Sequence, residues 1–239
     1  MMKFAFLLLS LSVFGQIKSF KITTSHLVDN VYVHVSYGLP DGKNVYPSNG
    51  LYIVTNAGIV LIDTPWGEDQ TKQLLDLLQK QYHKKILYCI STHFHADRTC
   101  GVDVLKKHGI KTYSTALTKQ LAKEKGDKQP EFTFQGDTIF REGNLTVQTY
   151  YPGAGHTVDN IVVWLPQSKV LFGGCFVKSF DAKDLGNLED ANVKQWPLSI
   201  GRAEKCFPEA KYVIPGHEGW QGGTKVLTHT LMLLSKKVK

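Results

Sequence analysis

Long apolar runs are scarce in this 239-residue chain. The one at the start, Phe4 to Phe14, follows the basic n-region Met1-Met2-Lys3. It is too short for a comfortable membrane span, and no other stretch is long enough to cross a bilayer. The pattern is that of an export signal over residues 1–19, cleaved somewhere after 15–19. No cysteine follows the apolar segment, which argues against a lipid-anchored start. Linkers are lacking too: Pro/Gly-rich stretches are short, and residues 20–239 suit one large domain or two small ones. Charge of one sign is never concentrated. The net charge of +7 is spread along the chain, which gives little support for nucleic-acid binding. It suits a protein that attracts small anions.

Cysteine is sparse. The four are Cys89, Cys100, Cys175 and Cys206. An exported chain would by default pair them. Cys89, however, lies inside an apolar strand pattern, where a free thiol behaves as a small hydrophobe. If Cys175 binds metal, three remain, an odd number. No structural disulfide is expected.

What the chain does have is Thr92-His93-Phe94-His95-Ala96-Asp97-Arg98. Three metal-capable side chains fall at alternate positions, directly after the apolar run Ile86–Ile90. That run reads as a buried strand. The motif therefore sits at the carboxyl edge of a sheet, where α/β folds place ligands. Neutral imidazoles and a carboxylate suit Zn²⁺.

Around the motif, strands and helices alternate in two successive halves. Strands are expected over 20–28, 30–37, 50–55, 59–63, 110–113, 138–141, 145–151, 161–165, 169–173 and 212–214. Helices are expected over 68–82, 99–108, 115–125, 196–206 and 224–237. Two mixed sheets packed face to face with helices on the outer faces would bury such a pattern: an α/β, four-layer αββα sandwich. Between the second and third strands, Asp41-Gly42 signals a hairpin turn. Its flanking Leu39, Val45 and Tyr46 fit either an ordinary hairpin or a flap over a site. Trp66 is open between pocket wall and core aromatic. Asp63 is open between a loop cap and a support for the metal loop.

Three later positions share a setting, each beside glycine at a strand end: Gly155-His156, Gly174-Cys175 and Gly216-His217. Glycine lets the backbone bend so that the side chain turns back toward a shared point. The full set divides in two. His93, His95 and His156 make a three-His zinc site with an open position. Asp97, Cys175 and His217 make a second, softer and negatively charged site. Two Zn²⁺ per chain are expected. His26, His34, His83, His108 and His229 lack this setting and read as surface or packing residues.

These motifs resemble those of the metallo-β-lactamases, subclass B1. The likeness rests on His-Phe-His-Ala-Asp-Arg, Gly-His-Thr-Val-Asp-Asn, Gly-Gly-Cys-Phe-Val-Lys and Gly-His-Glu, in order over nearly the whole mature chain. Related thioester hydrolases usually carry His after the motif Asp and a bridging Asp later. Arg98 and Cys175 stand at those points here. Cys100 departs from the family, which often has Gly there. The resemblance implies hydrolysis of the ring amide of penicillins, cephalosporins and carbapenems, and hence antibiotic resistance. Lys178 would meet the substrate carboxylate, and Asn187 resembles the family's substrate-side Asn, although it also fits a plain turn. Together with Asp97 they form the expected catalytic set, with Trp66, Leu39 and Val45 lining the substrate. Arg98 would support the metal ligands. The implied protein is periplasmic and monomeric, acting on a small molecule, with no nucleic-acid partner and no membrane contact once the signal is removed. Two rival classes remain: a hydrolase of the same fold acting on thioesters or lactones, and a non-catalytic exported zinc-binding protein.

Overall fold

The computed structural model describes residues 20–237. The expected export signal lies outside them. Seven strands form one sheet, in chain order: β1 (Thr23–Val28), β2 (Val31–Gly38), β3 (Tyr46–Val54), β4 (Ile59–Ile62), β5 (Ile86–Ile90), β6 (Lys111–Thr115) and β7 (Phe132–Phe134). Pairing is antiparallel through β4 and parallel from β4 to β7. The second sheet has five strands: β8 (Ile139–Glu142), β9 (Leu145–Tyr150), β10 (Val162–Leu165), β11 (Val170–Gly174) and β12 (Tyr212–Pro215). Only its β11–β12 pair is parallel.

Three apolar layers follow from the alternation of side chains along the strands. Val33, Leu51, Ile53, Val60, Ile62 and Ile90 face Val147, Val163, Phe172 and Ile214 between the sheets. On the outer face of the large sheet, Tyr52, Leu61 and Cys89 meet Leu74 and Leu78 of α1 (Glu68–Tyr82) and Leu105 of α3 (Val102–Lys107). On the outer face of the small sheet, Trp164, Leu171 and Val213 meet Ile200 of α5 (Trp196–Cys206) and Leu234 of α6 (Lys225–Lys237). The expected αββα sandwich is the one observed. All four cysteines are free, as expected, and Cys89 is buried.

The differences lie at element ends. β3 begins at Tyr46, not at Gly50: Pro47 and Ser48 pair with Tyr37 and Ser36 of β2. The β2–β3 loop therefore shrinks to residues 39–45, held by Asp41 Oδ1 accepting from the amides of Lys43 and Asn44. The helix expected over 99–108 is two pieces, α2 (Ala96–Thr99) and α3, parted at Cys100-Gly101. A Cβ on Gly101 would collide with the Thr71 side chain, and Gly101 N donates to Thr64 Oγ1 at 3.0 Å. The three-residue β7 carries too few residues to display a period.

Candidate metal centre

β4, β5, β11 and β12 end at one edge of the sandwich, and the β9–β10 loop reaches the same edge. The strand ends bring the candidate ligands there: His93, His95 and Asp97 after β5, His156 after β9, Cys175 after β11 and His217 after β12. Neighbouring parallel strands end together, so residues far apart in sequence meet.

His93, His95 and His156 present ring nitrogens within 4.8 Å of one another. His95 Nδ1 stands 3.1 Å from His156 Nε2. The other nitrogen of His95, Nε2, donates to Asp190 Oδ2 at 3.0 Å, which selects the tautomer whose Nδ1 lone pair faces the cluster when the ring is neutral. His93 Nε2 is buried and has no partner among the described residues. Burial holds the pKa of His93 and His156 well below the usual imidazole range. Both stay neutral, the form that binds metal. Unpaired lone pairs at this spacing repel one another and are satisfied by a cation.

The second cluster adjoins the first. Asp97 Oδ2 lies 3.3 Å from Cys175 Sγ and 3.2 Å from His217 Nε2, and the sulfur lies 3.0 Å from the same nitrogen. His93, Asp97 and Cys175 also fall within 4.8 Å of one another, so His93 stands between the two groups. His217 Nδ1 lies 2.7 Å from Pro47 O. Only a donor can bond a carbonyl, so Nδ1 carries a proton and Nε2 faces the cluster. Burial would lower the His217 pKa, but Cys175 and Asp97 outweigh it and push it up to about 9. A metal held here would displace that proton. A carboxylate, a thiol sulfur and an imidazole form a donor set that fits a divalent cation of zinc's softness. The residues present fit a metal cofactor at both clusters.

Arg98 braces this second group. It is fully buried, and its Nη2 lies 2.8 Å from Asp97 Oδ2, 3.0 Å from Cys175 Sγ and 2.8 Å from Gly216 O, while Nη1 donates to Asn49 O at 2.6 Å. Burial would raise the Asp97 pKa, but Arg98 and His217 override it and hold the carboxyl well below the usual range. Asp63 supports the metal loop: its carboxylate accepts Thr92 N at 2.7 Å and Thr92 Oγ1 at 2.8 Å, and Arg98 Nη1 lies 3.4 Å away. Burial pushes its pKa up to about 6 against the pull of Arg98 and Thr92. Its backbone is left-handed, φ 61°, a strained geometry of the kind found at functional sites.

The remaining expected residues are less uniform. Lys178 is buried beside the second cluster, with Nζ 5.3 Å from the centroid of the Trp196 ring. Trp66 is half-buried at the rim, its ring 6.2 Å from that of His217. Leu39 and Val45 are exposed on the β2–β3 loop. Asn187 is exposed, and its side-chain oxygen accepts from Glu189 N at 3.0 Å, the geometry of a turn residue. Asp190 and Trp196 escaped the sequence reading. No motif marks either one, and Asp190 meets His95 across 95 positions.

Comparison with known proteins agrees with this geometry. Residues 44–217 match the family model described as the metallo-beta-lactamase superfamily. The chain is 47% identical to metallo-beta-lactamase type 2 of Bacillus cereus, over 89% of this chain and 82% of that one. It is 37% identical to metallo-beta-lactamase type 2 of Bacteroides fragilis, over 100% and 98%. The solved metallo-beta-lactamase of Pontibacter korlensis superposes with a TM-score of 0.86 at 42% identity, covering 90% of this chain and 99% of that one. Shared fold, the family match over residues 44–217 and this level of identity place the chain among the hydrolases of the metallo-β-lactamase family, subclass B1.

Proposed function

We propose that the protein hydrolyses the ring amide of β-lactam antibiotics with two zinc ions per chain, and so confers resistance to them. One observation carries the reading. Two adjoining donor clusters, one of neutral imidazoles and one of carboxylate, sulfur and imidazole, share a strand-end edge. His93, His95 and His156 would hold one zinc, and Asp97, Cys175 and His217 the other. Zinc in such sites supplies Lewis acidity and lowers the pKa of a coordinated water from about 16 to about 7, giving a nucleophile at neutral pH.

The chain's own residues do the rest. Asp190 fixes the tautomer and angle of His95, and Pro47 does the same for His217. Arg98 holds Asp97 ionised and oriented. Lys178 has no ion-pair partner among the described residues, and it receives the substrate carboxylate by a charge-assisted hydrogen bond. Asn187 sits on the loop after Lys178, with its amide nitrogen free to bond substrate. Trp66, Leu39 and Val45 offer apolar surface to substrate side groups and keep water out.

Export belongs to the same reading. Residues 1–19 act as a signal peptide, and 20–239 form one periplasmic catalytic domain, monomeric, with no nucleic-acid or membrane partner. No helix among the described residues is long and apolar enough to cross a membrane.

The test is purified protein with a carbapenem, following loss of ring absorbance with and without chelator, beside zinc analysis. About two zincs per chain and activity stopped reversibly by chelation are expected. Turnover that ignores the chelator, or a thioester cleaved faster than any β-lactam, overturns the proposal.

A further inference from the structure

Lys178 presents a problem that its assigned role does not solve. It is only 9% exposed, and among the described residues no carboxylate comes within ion-pair distance of it. A buried ammonium without a partner ordinarily neutralises or recruits an anion. A resident carboxylate would compete with the substrate's own. What the structure provides in its place is the face of Trp196, with Nζ 5.3 Å from the ring centroid.

Both partners are fixed. Trp196 is fully buried at the start of α5. Its Nε1 donates to Phe176 O at 2.8 Å, and its ring lies nearly parallel to that of Phe176, with centroids 6.4 Å apart. The Lys178 backbone is pinned from the other side, its N–H donating to Thr230 Oγ1 of α6 at 2.9 Å. A neutral π-face attracts a cation without cancelling its charge.

We propose that Trp196 is a positioning residue for substrate binding: its indole face stands in for a counter-anion, so that Lys178 meets a substrate carboxylate charged, aimed and unpaired. This rests on the reading of Lys178 as the carboxylate site.

The experiment measures kcat and KM for a penicillin and for its carboxyl methyl ester, in the zinc-loaded wild type, Trp196→Leu, Trp196→Phe, Lys178→Ala and the double variant Trp196→Leu/Lys178→Ala. Trp196→Leu is expected to raise KM for the acid by about two- to thirtyfold, the range of a cation–π contact, with the ester nearly unchanged. Trp196→Phe keeps a π-face and rescues most of the loss. In the Lys178→Ala background Trp196→Leu adds nothing. Zinc is measured for every variant and the acid-to-ester ratio is compared at equal loading, because Trp196 also packs against His156, ring centroids 6.0 Å apart, and a cation lost there would itself weaken the hold on an anionic substrate.

Equal losses on acid and ester in Trp196→Leu, or losses additive with Lys178→Ala, overturn the proposal and leave Trp196 as packing. If Lys178→Ala itself costs acid and ester alike, the carboxylate reading fails first and the proposal falls with it. Should Trp196→Leu not fold, lysine-labelled wild-type holoenzyme decides. The ε-methylene resonance that disappears in Lys178→Ala should lie upfield of the other lysines, in the shielding zone of the indole. An ordinary position there overturns the proposal.

Discussion

At the residue scale, His34 shows what burial without a metal role costs. It is 1% exposed, its Nε2 lies 3.2 Å from Asp63 O, and its Nδ1 has no partner. Burial lowers its pKa from 6.5 to about 4. The unfolded chain therefore takes up this proton near pH 6.5 and the folded chain only near pH 4. The stabilising contribution is whole above 6.5 and is lost as pH falls through that window. It amounts to about 3 kcal/mol. Urea unfolding of chelated wild type and His34→Gln should show this difference opening between pH 6.5 and 4; parallel pH profiles would contradict it. Cys175 differs in kind, since its sulfur faces Asp97 and His217. Serine keeps its size but is a poor zinc ligand. Cys175→Ser should lose about one zinc of two and most turnover, whereas Cys89→Ser, inside the outer core, should leave the zinc count unchanged. Metal analysis after gel filtration decides. The residues of the two clusters were legible because alternation and flanking glycine are local signals. Asp190 was not, because its role exists only once α4 (Ala116–Lys125) and the loop after β11 come together: Lys125 Nζ holds Asp190 Oδ1 at 2.9 Å.

At the scale of elements, the β2–β3 hairpin is the part the sequence described least well. Tyr46-Pro47-Ser48-Asn49 lacks a clean alternation and contains proline, so it reads as loop. The strand persists because Pro47 occupies a place where its carbonyl, not its missing N–H, is needed: it accepts from His217. The turn signal at Asp41-Gly42 was sound, with Gly42 at φ 72°. At the hairpin's base, a Cβ on Gly38 would run into the Trp66 indole. Gly38→Ala should therefore push Trp66 outward, cost about 1–3 kcal/mol of stability, and shift tryptophan fluorescence. Unfolding and emission spectra identical to wild type would show that the ring has room. Cutting residues 39–45 to a two-residue turn removes Leu39 and Val45 but no metal ligand. KM should rise for substrates with bulky apolar groups while zinc content holds; unchanged KM across several substrates would leave the loop as architecture alone. The break between α2 and α3 was hidden for a related reason. What splits the expected helix is the tight approach of Gly101 to Thr71 of α1, a contact no helical period encodes.

At the scale of the molecule, the alternation of strands and helices in two successive halves pointed to the sandwich, because two sheets packed face to face with helices outside cover every apolar face such a pattern offers. The partition of strands between sheets was less visible, since it depends on pairings across the chain. The division has a result for the ligands. His93, His95 and Asp97 leave the large sheet, whereas His156, Cys175 and His217 leave the small one. The seam between them is laced where they meet: Asn49 N donates to Gly216 O at 2.8 Å, Asn49 Nδ2 to Pro215 O at 3.0 Å, and Ile161 N to Thr92 O at 3.0 Å. Zinc in both clusters, as proposed, would bolt each sheet to the other. Metal at a thousand times its dissociation constant adds about 4 kcal/mol to the folded state. Chelation should lower the melting temperature by several degrees, and a melting point indifferent to chelator would unlink metal from folding. Zinc scarcity would then reach this protein twice. It would idle the catalyst, and it would also unfasten the two sheets. The cell's supply of intact enzyme would decline with its zinc, because proteases remove chains that open.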